Sequence, residues 1–196
     1  MAIHPDAHGH DPAHPSTEQK LEQLYGLIDD IEIALMTTRR ADGLLVSRPM
    51  ATQKRTQGSD LWFVTNAETA KVDELDADPH VNLAYYKDGT YEFVSVSGLA
   101  RLSRDPARIR ELYSPDWRAW FADEGGQRDG GPDDPRILLV LVEAQSATYL
   151  KARHGKAITL FNIVKGMTTG EGPNVIGAKV GVNRDELSAR RASGGR

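Results

Sequence analysis

The sequence predicts a mainly β fold with peripheral helices (α+β), arranged as a six- to seven-stranded antiparallel barrel. Three observations predict it. Short runs rich in Val, Ile, Leu, Phe and Tyr recur along the chain, tight turns join most of them, and the regular strand–helix alternation of a parallel α/β sheet does not occur.

The elements follow in order. Residues 1–16 carry four of the six histidines and three prolines, with almost nothing to bury, and read as a disordered tail. His4, His8, His10 and His14 are ligand types for a metal, but the Pro and Gly between them preorganise no site. Ser16-Thr17-Glu18 can cap a helix, and Leu21, Leu24, Tyr25 and Ile28 then share one face over about 17–30. Ile33 to Thr38 is a strand, Ala41-Asp42-Gly43 a turn, and Leu44 to Ala51 the hairpin partner. A polar loop from Gln53 to Asp60 leads to the apolar run Leu61-Trp62-Phe63-Val64-Thr65.

Asn66 to Asp78 reads as a helix that stops before Pro79. Val81 to Tyr86 and Tyr91 to Leu102 are strands around the turn Lys87-Asp88-Gly89. Asp105-Pro106 opens another helix, and Trp117, Trp120 and Phe121 form an aromatic cluster expected in a core or subunit interface. Residues 123–135 form a Gly/Asp/Pro loop too long for a simple connection. Ile137 to Val142 and Ser146 to Leu150 read as two closing strands. Residues 17–150 are thus one domain, and 151–196 a partly helical or loose extension with a short helix near 156–164.

Composition narrows the chemistry. The formal net charge is -4, which argues against a nucleic-acid partner. No apolar run is long enough to span a bilayer and no secretion signal is visible, so a cytoplasmic setting is expected. The chain has no cysteine, which excludes disulfides, thiolate nucleophiles and iron–sulfur clusters. Redox chemistry here would have to come from a bound cofactor. Gly166, Gly170 and Gly172 lack the spacing of a dinucleotide fingerprint or P-loop. His80 and His154 read as structural or surface residues.

Two segments carry candidate binding chemistry. On the strand Leu44 to Met50, Arg48 falls in line with Leu44, Val46 and Met50. Such an arginine needs either an internal carboxylate or a ligand's anion. Pro49 removes a ladder donor, as at an edge, a bulge, or a backbone turned toward a ligand. The second segment is Leu61 to Asn66 running into a helix that carries Lys71. A strand-end hydroxyl, helix N–H groups and a lysine could hold one phosphate, or serve as an ordinary cap beside a solvated charge.

Taken in order, Ser47-Arg48-Pro49-Met50, Leu61-Trp62-Phe63-Val64-Thr65-Asn66, then Lys71, Leu75, Asp78-Pro79 and Val81-Asn82-Leu83 form a recognisable pattern. It resembles the pyridoxamine 5'-phosphate oxidase-like split-barrel flavoproteins, most closely their general stress protein 26 branch, over about residues 18–150. The resemblance implies an FMN-binding split barrel that is a homodimer with flavin at the interface; FAD is the alternative nucleotide. By matching position, Arg48, Pro49 and Met50 would line the flavin ring and ribityl chain. Phe63, Val64 and Thr65 would flank ring and tail, and Lys71 would clamp the phosphate. The activity implied is FMN-dependent oxidation or reduction of a small molecule, with a nicotinamide as candidate reductant. Flavin sequestration without turnover, or a relative using deazaflavin or haem, are the other readings. The substrate-binding C-terminal residues of true pyridoxamine phosphate oxidases have no close match after Lys151, and relatives often place a tryptophan where this chain has Leu150.

Overall fold

The computed structural model describes residues 15–56, 58–152 and 179–192. The histidines of the N-terminal tail, His154 and the expected 156–164 helix lie outside these residues.

Helix α1 (Thr17–Ile31) starts at Ser16, whose hydroxyl accepts from the Gln19 amide while the Gln19 side chain accepts from the Ser16 amide. This reciprocal cap satisfies two N–H groups that would otherwise lack partners. Leu21, Leu24, Tyr25, Leu27 and Ile28 point from α1 into the main core. Strands β1 (Ile33–Arg39) and β2 (Leu45–Ala51) form the expected hairpin, with Gly43 at φ 85° and the Leu44 amide bonded to Asp42 Oδ1. Then come β3 (Leu61–Asn66), α2 (Ala70–Ala77), β4 (His80–Lys87) and β5 (Glu92–Ser103). Helix α3 (Pro106–Leu112) is capped by Asp105, and a 3₁₀ helix (Pro115–Trp120) follows. Strand β6 (Ile137–Leu150), β7 (Lys179–Val182) and α4 (Arg184–Ala192) complete the described chain.

The strands form one antiparallel sheet in the order β2-β1-β4-β5-β6-β3, with β7 also paired to β6. The path is open, its end strands β2 and β3, although the Gln53 amide just past β2 donates to the Trp62 carbonyl at 3.0 Å. Four points differ from the sequence expectation.

The two closing strands are one 14-residue strand, β6. Ser97 pairs with Ser146 but Gly98 with Ala144, so Gln145 is the extra residue of a β-bulge that carries β6 through its polar stretch. A Cβ at Gly98 would stand 2.5 Å from the Glu143 carbonyl oxygen and 3.0 Å from Val142 Cγ1. Gly98→Ala is therefore expected to destabilise the fold by about 1–3 kcal/mol, because the obstacle is backbone. An unchanged urea midpoint would show that the bulge yields freely.

Secondly, residues 179–192 of the extension expected to be partly helical or loose do include a helix, but they also add an unexpected strand and pack against the sheet. Val182 of β7 and Leu187 of α4 lie in the main core. Asn183 and Glu186 cap α4 reciprocally, and Lys20 ties it to α1 through Glu186 at 2.8 Å. Thirdly, α2 begins at Ala70, four residues beyond the expected Asn66, because the Asn66 side chain and carbonyl hold Glu68 and Thr69 in a turn first. Fourthly, the aromatic cluster splits: Trp117 and Phe121 are buried, whereas Trp120 is 75% exposed.

Two cores result. Leu61 and Phe63 face the main core with Val140 and Val142, whereas Trp62 faces a second cluster with Leu139, Leu141, Trp117 and Phe121. Being covered on both faces explains why residues 137–142 are uninterruptedly apolar. Among the described residues no helix is long and apolar enough to cross a membrane.

Candidate functional site

The hairpin register puts Ala34, Met36 and Thr38 of β1 on the same face as Met50, Arg48 and Val46 of β2. Met36 and Arg48 are direct neighbours, so the guanidinium lies over the inner face of the sheet. It meets α2 there. Arg48 Nη2 donates to Glu74 Oε1 at 2.8 Å and Nη1 donates to Thr38 Oγ1 at 2.8 Å. The Thr38 hydroxyl in turn donates to Glu74 Oε2 at 2.6 Å. Thr38 and Glu74 are buried, and Arg48 is partly open to solvent. Of the two sequence readings, the internal carboxylate is thus present. It is Glu74.

Lys71 stands one turn before Glu74, on the same side of α2. Its ammonium donates to Thr65 Oγ1 at the end of β3, and both residues are buried. Among the described residues no ion pair is formed by Lys71. Burial, and secondarily the Arg48 charge, push its pKa down from 10.5 to about 8, while Glu74 pulls it back up. The Glu74 carboxyl is held below its usual range, first by its bond from Arg48, against a cost of burial. Two cations and one carboxylate therefore share a half-buried corner between β2, β3 and α2. Its local balance is one net positive charge.

Of the seven residues singled out, the structure brings Arg48, Thr65 and Lys71 into this corner. Met50 and Phe63 are packed into the main core, Phe63 completely. Val64 lies against the second cluster on the opposite face of β3, and Pro49 is on the outer face of the hairpin. Glu74 and Thr38 were not singled out by sequence reasoning. The available signals were the Lys71/Glu74 spacing and a threonine interrupting the apolar inner face of β1.

The 123–135 loop buttresses the β3–α2 turn. Arg128 donates to both carboxylate oxygens of Glu68 at 2.8 and 3.0 Å, and the Ala67 amide donates to the Arg136 carbonyl at 2.7 Å. A separate cleft of about 340 Å³, whose lining includes Arg104, Ile109, Arg110, Gln127, Asp133 and Ile137, opens on the second-cluster side. It is therefore on the opposite face of the sheet from Thr65. Among the described residues no group of three or more metal-ligating side chains comes together.

The fold is an antiparallel sheet with a basic corner where a strand end meets a short helix, and comparison with known proteins identifies its family. Residues 19–174 match the family model "Pyridoxamine 5'-phosphate oxidase like", and the chain belongs to that family. It is 33% identical over 179 residues to Protein bli-3 of Neurospora crassa, covering 90% of this chain and 85% of that one. The crystal structure of a protein related to general stress protein 26 from Clostridium acetobutylicum superposes with a TM-score of 0.62 at 16% identity, over 88% of this chain and 99% of that one. A general stress FMN/FAD binding protein from Xanthomonas citri gives 0.55 at 26% identity, over 67% and 88%. The fold is thus shared with that protein and lies within the family the sequence match shows.

Proposed function

We propose that this protein binds flavin mononucleotide at the interface of a homodimer and uses it as an FMN-dependent oxidoreductase acting on a small molecule. The observation that carries this reading is the charge balance beside α2. Arg48 and Lys71 supply two positive charges against the single carboxylate of Glu74, and Lys71 is nearly inaccessible to water. A buried ammonium without a counter-ion is costly. A ligand phosphate would supply that counter-ion and accept charge-assisted hydrogen bonds from both side chains. The residues present therefore fit the nucleotide tail that the family membership and the Xanthomonas citri relative suggest.

In this reading Arg48, Thr65 and Lys71 hold the phosphate end. Pro49, Met50, Phe63 and Val64, adjoining on the same two strands, serve the ring and ribityl chain. Because the Phe63 side chain is committed to the core, its contribution is through backbone. A bound flavin supplies the hydride and electron chemistry itself, while the chain supplies position and electrostatics. The dimer is supported by the outer face of β1, β2 and β4, where Ile33, Leu35, Leu45 and Tyr86 are all substantially exposed. Covering such an apolar patch with a second copy removes it from water.

The experiment is the visible spectrum of the purified protein, with release and mass analysis of any cofactor and light scattering of the complex. A yellow dimer with about one FMN per chain is expected, and release of FAD, deazaflavin or haem would reassign the cofactor. Anaerobic mixing with NADH or NADPH should then bleach the flavin. Retained colour under reductant would favour flavin sequestration over turnover, and colourless protein that fails to take up added FMN would end the reading.

A further inference from the structure

We infer that Glu74, seconded by Thr38, is a positioning residue for the ligand's phosphate: it grips one edge of the Arg48 guanidinium and presents the remaining N–H groups to the anion. This inference rests on the flavin reading above and deepens it. A guanidinium carries five N–H donors in a rigid planar fork. Glu74 and Thr38 each take one, at 2.8 Å, from different terminal nitrogens, which fixes both the plane and the rotation of the fork. Among the described residues, three N–H groups remain without a partner. The Thr38 hydroxyl closes the triangle by donating to the other carboxylate oxygen at 2.6 Å, so the carboxylate cannot rotate away from the arginine.

The grip is built into the fold. Thr38 and Arg48 lie diagonally across one hairpin, on the same face, and Glu74 comes from the helix that follows the next strand, β3. Thr38 is 1% exposed, and the Glu74 carboxylate has only a narrow opening to water. A free arginine would lose the entropy of its long side chain on meeting a phosphate. Here that loss is already incurred on folding, and so does not weaken binding.

Glu74 has a second effect, through charge. Among the described residues it is the carboxylate that acts on Lys71, which is faced by Arg48 from β2 and by the uncharged Thr65 hydroxyl from β3. Glu74 itself is faced by Arg48 and Thr38, and more distantly by Arg40. Its negative charge therefore keeps Lys71 protonated to higher pH than two neighbouring cations would otherwise allow. Removing it should bring the ammonium's titration to lower pH.

The test compares FMN with riboflavin, which lacks the phosphate, on wild-type protein, Glu74→Gln, Thr38→Val, Arg48→Met and the Arg48→Met/Glu74→Gln double variant, across pH 6 to 9. In the wild type, FMN should bind more tightly than riboflavin, and this preference should decline as pH rises past about 8. Glu74→Gln should lower the preference at least tenfold at pH 7 and move its decline to lower pH. Thr38→Val should lower it less, and riboflavin affinity should be nearly unchanged throughout. Because Glu74 acts through Arg48, adding Glu74→Gln to Arg48→Met should cost little more than Arg48→Met alone. Equal or tighter FMN binding by Glu74→Gln, with the wild-type preference intact, would overturn the inference and leave the flavin reading standing. A wild type that holds FMN no better than riboflavin would overturn both. Loss of riboflavin binding along with FMN in Glu74→Gln would mark Glu74 as merely structural and overturn the inference alone.

Discussion

Replacing Lys71 with methionine is expected to weaken FMN binding by roughly ten- to 150-fold, equivalent to a charge-assisted hydrogen bond of about 1.5–3 kcal/mol, while leaving riboflavin affinity unchanged. Methionine keeps the length and apolar stem of the lysine, so the packing of α2 against β3 survives. What disappears is the charge. Isothermal titration with both ligands checks the outcome, and equal FMN affinity in the two proteins would remove Lys71 from the site.

The same substitution should alter stability, in a direction fixed by proton linkage. The ligand-free folded state holds Lys71 at about 8 against 10.5 for an unperturbed lysine. Between those values the unfolded chain carries the extra proton, so the stability of the ligand-free protein should rise with pH across that window. The rise is on the order of 3 kcal/mol for a shift of that size, and Lys71→Met should lack it. At neutral pH the variant should be at least as stable as the parent, since it no longer buries a cation. Binding behaves oppositely. A phosphate prefers the protonated amine, so FMN affinity should fall as pH rises through about 8. A residue that lowers stability while raising affinity is placed for a ligand.

The other large effect is expected outside that corner, in the 123–135 loop. Asp134→Ala should destabilise the protein by about 3–5 kcal/mol, because it leaves a buried guanidinium without its carboxylate. Asp134 and Arg136 are almost wholly buried. The carboxylate accepts from Arg136 Nη2 at 2.7 Å and Nε at 3.0 Å, and from the amides of Gly130 and Arg136 at 2.8 and 2.9 Å. Arg136 is further held by Glu124 and the Ala122 carbonyl, each at 2.8 Å, and lies over the Phe121 ring. Glu124 is half-exposed, too hydrated to replace Asp134. Urea unfolding measures the loss, and a change below about 1 kcal/mol would show the loop able to rearrange around the arginine.

The bonds from Arg136 and the backbone amides hold the Asp134 carboxyl down at about 2, so its stabilising contribution is present above the ordinary value of 3.8 and disappears as pH falls toward 2. Because the Arg136 carbonyl anchors Ala67 in the turn before α2, Asp134→Ala should also weaken FMN binding modestly, although no residue of the site is replaced. That secondary loss would follow Lys71 being less firmly placed.

Much of this architecture was legible from the chain alone. The period of Leu21, Leu24, Tyr25 and Ile28 is a helix period, Asp42-Gly43 favours a hairpin turn, and Asp105-Pro106 supplies a cap and a first-turn proline for a helix. These are local rules, and the structure follows them. The order of Arg48, Thr65 and Lys71 along the chain was legible too. What they would meet was not. Glu74 is 26 residues from Arg48, and only the crossing of α2 over the hairpin brings them together. Likewise the polar stretch of β6 reads locally as an interruption, yet the bulge at Gln145 spares the ladder, and the Ala144 amide beside it finds the Asp60 carboxylate at 2.8 Å.

By itself, then, the sequence determined most of the strands, the tight turns, the absence of thiol chemistry, and which cations were candidates for an anion. Side-chain periodicity and turn sterics act within a few residues, so a linear reading suffices for them. The tertiary structure alone decided that β7 joins the sheet, that Phe63 is committed to the core, and that Glu74 pairs with Arg48 beside the Lys71 ammonium. These outcomes depend on which groups lose their water together. That is set by packing between segments distant in sequence, where the cost of an unpaired buried charge selects the partner.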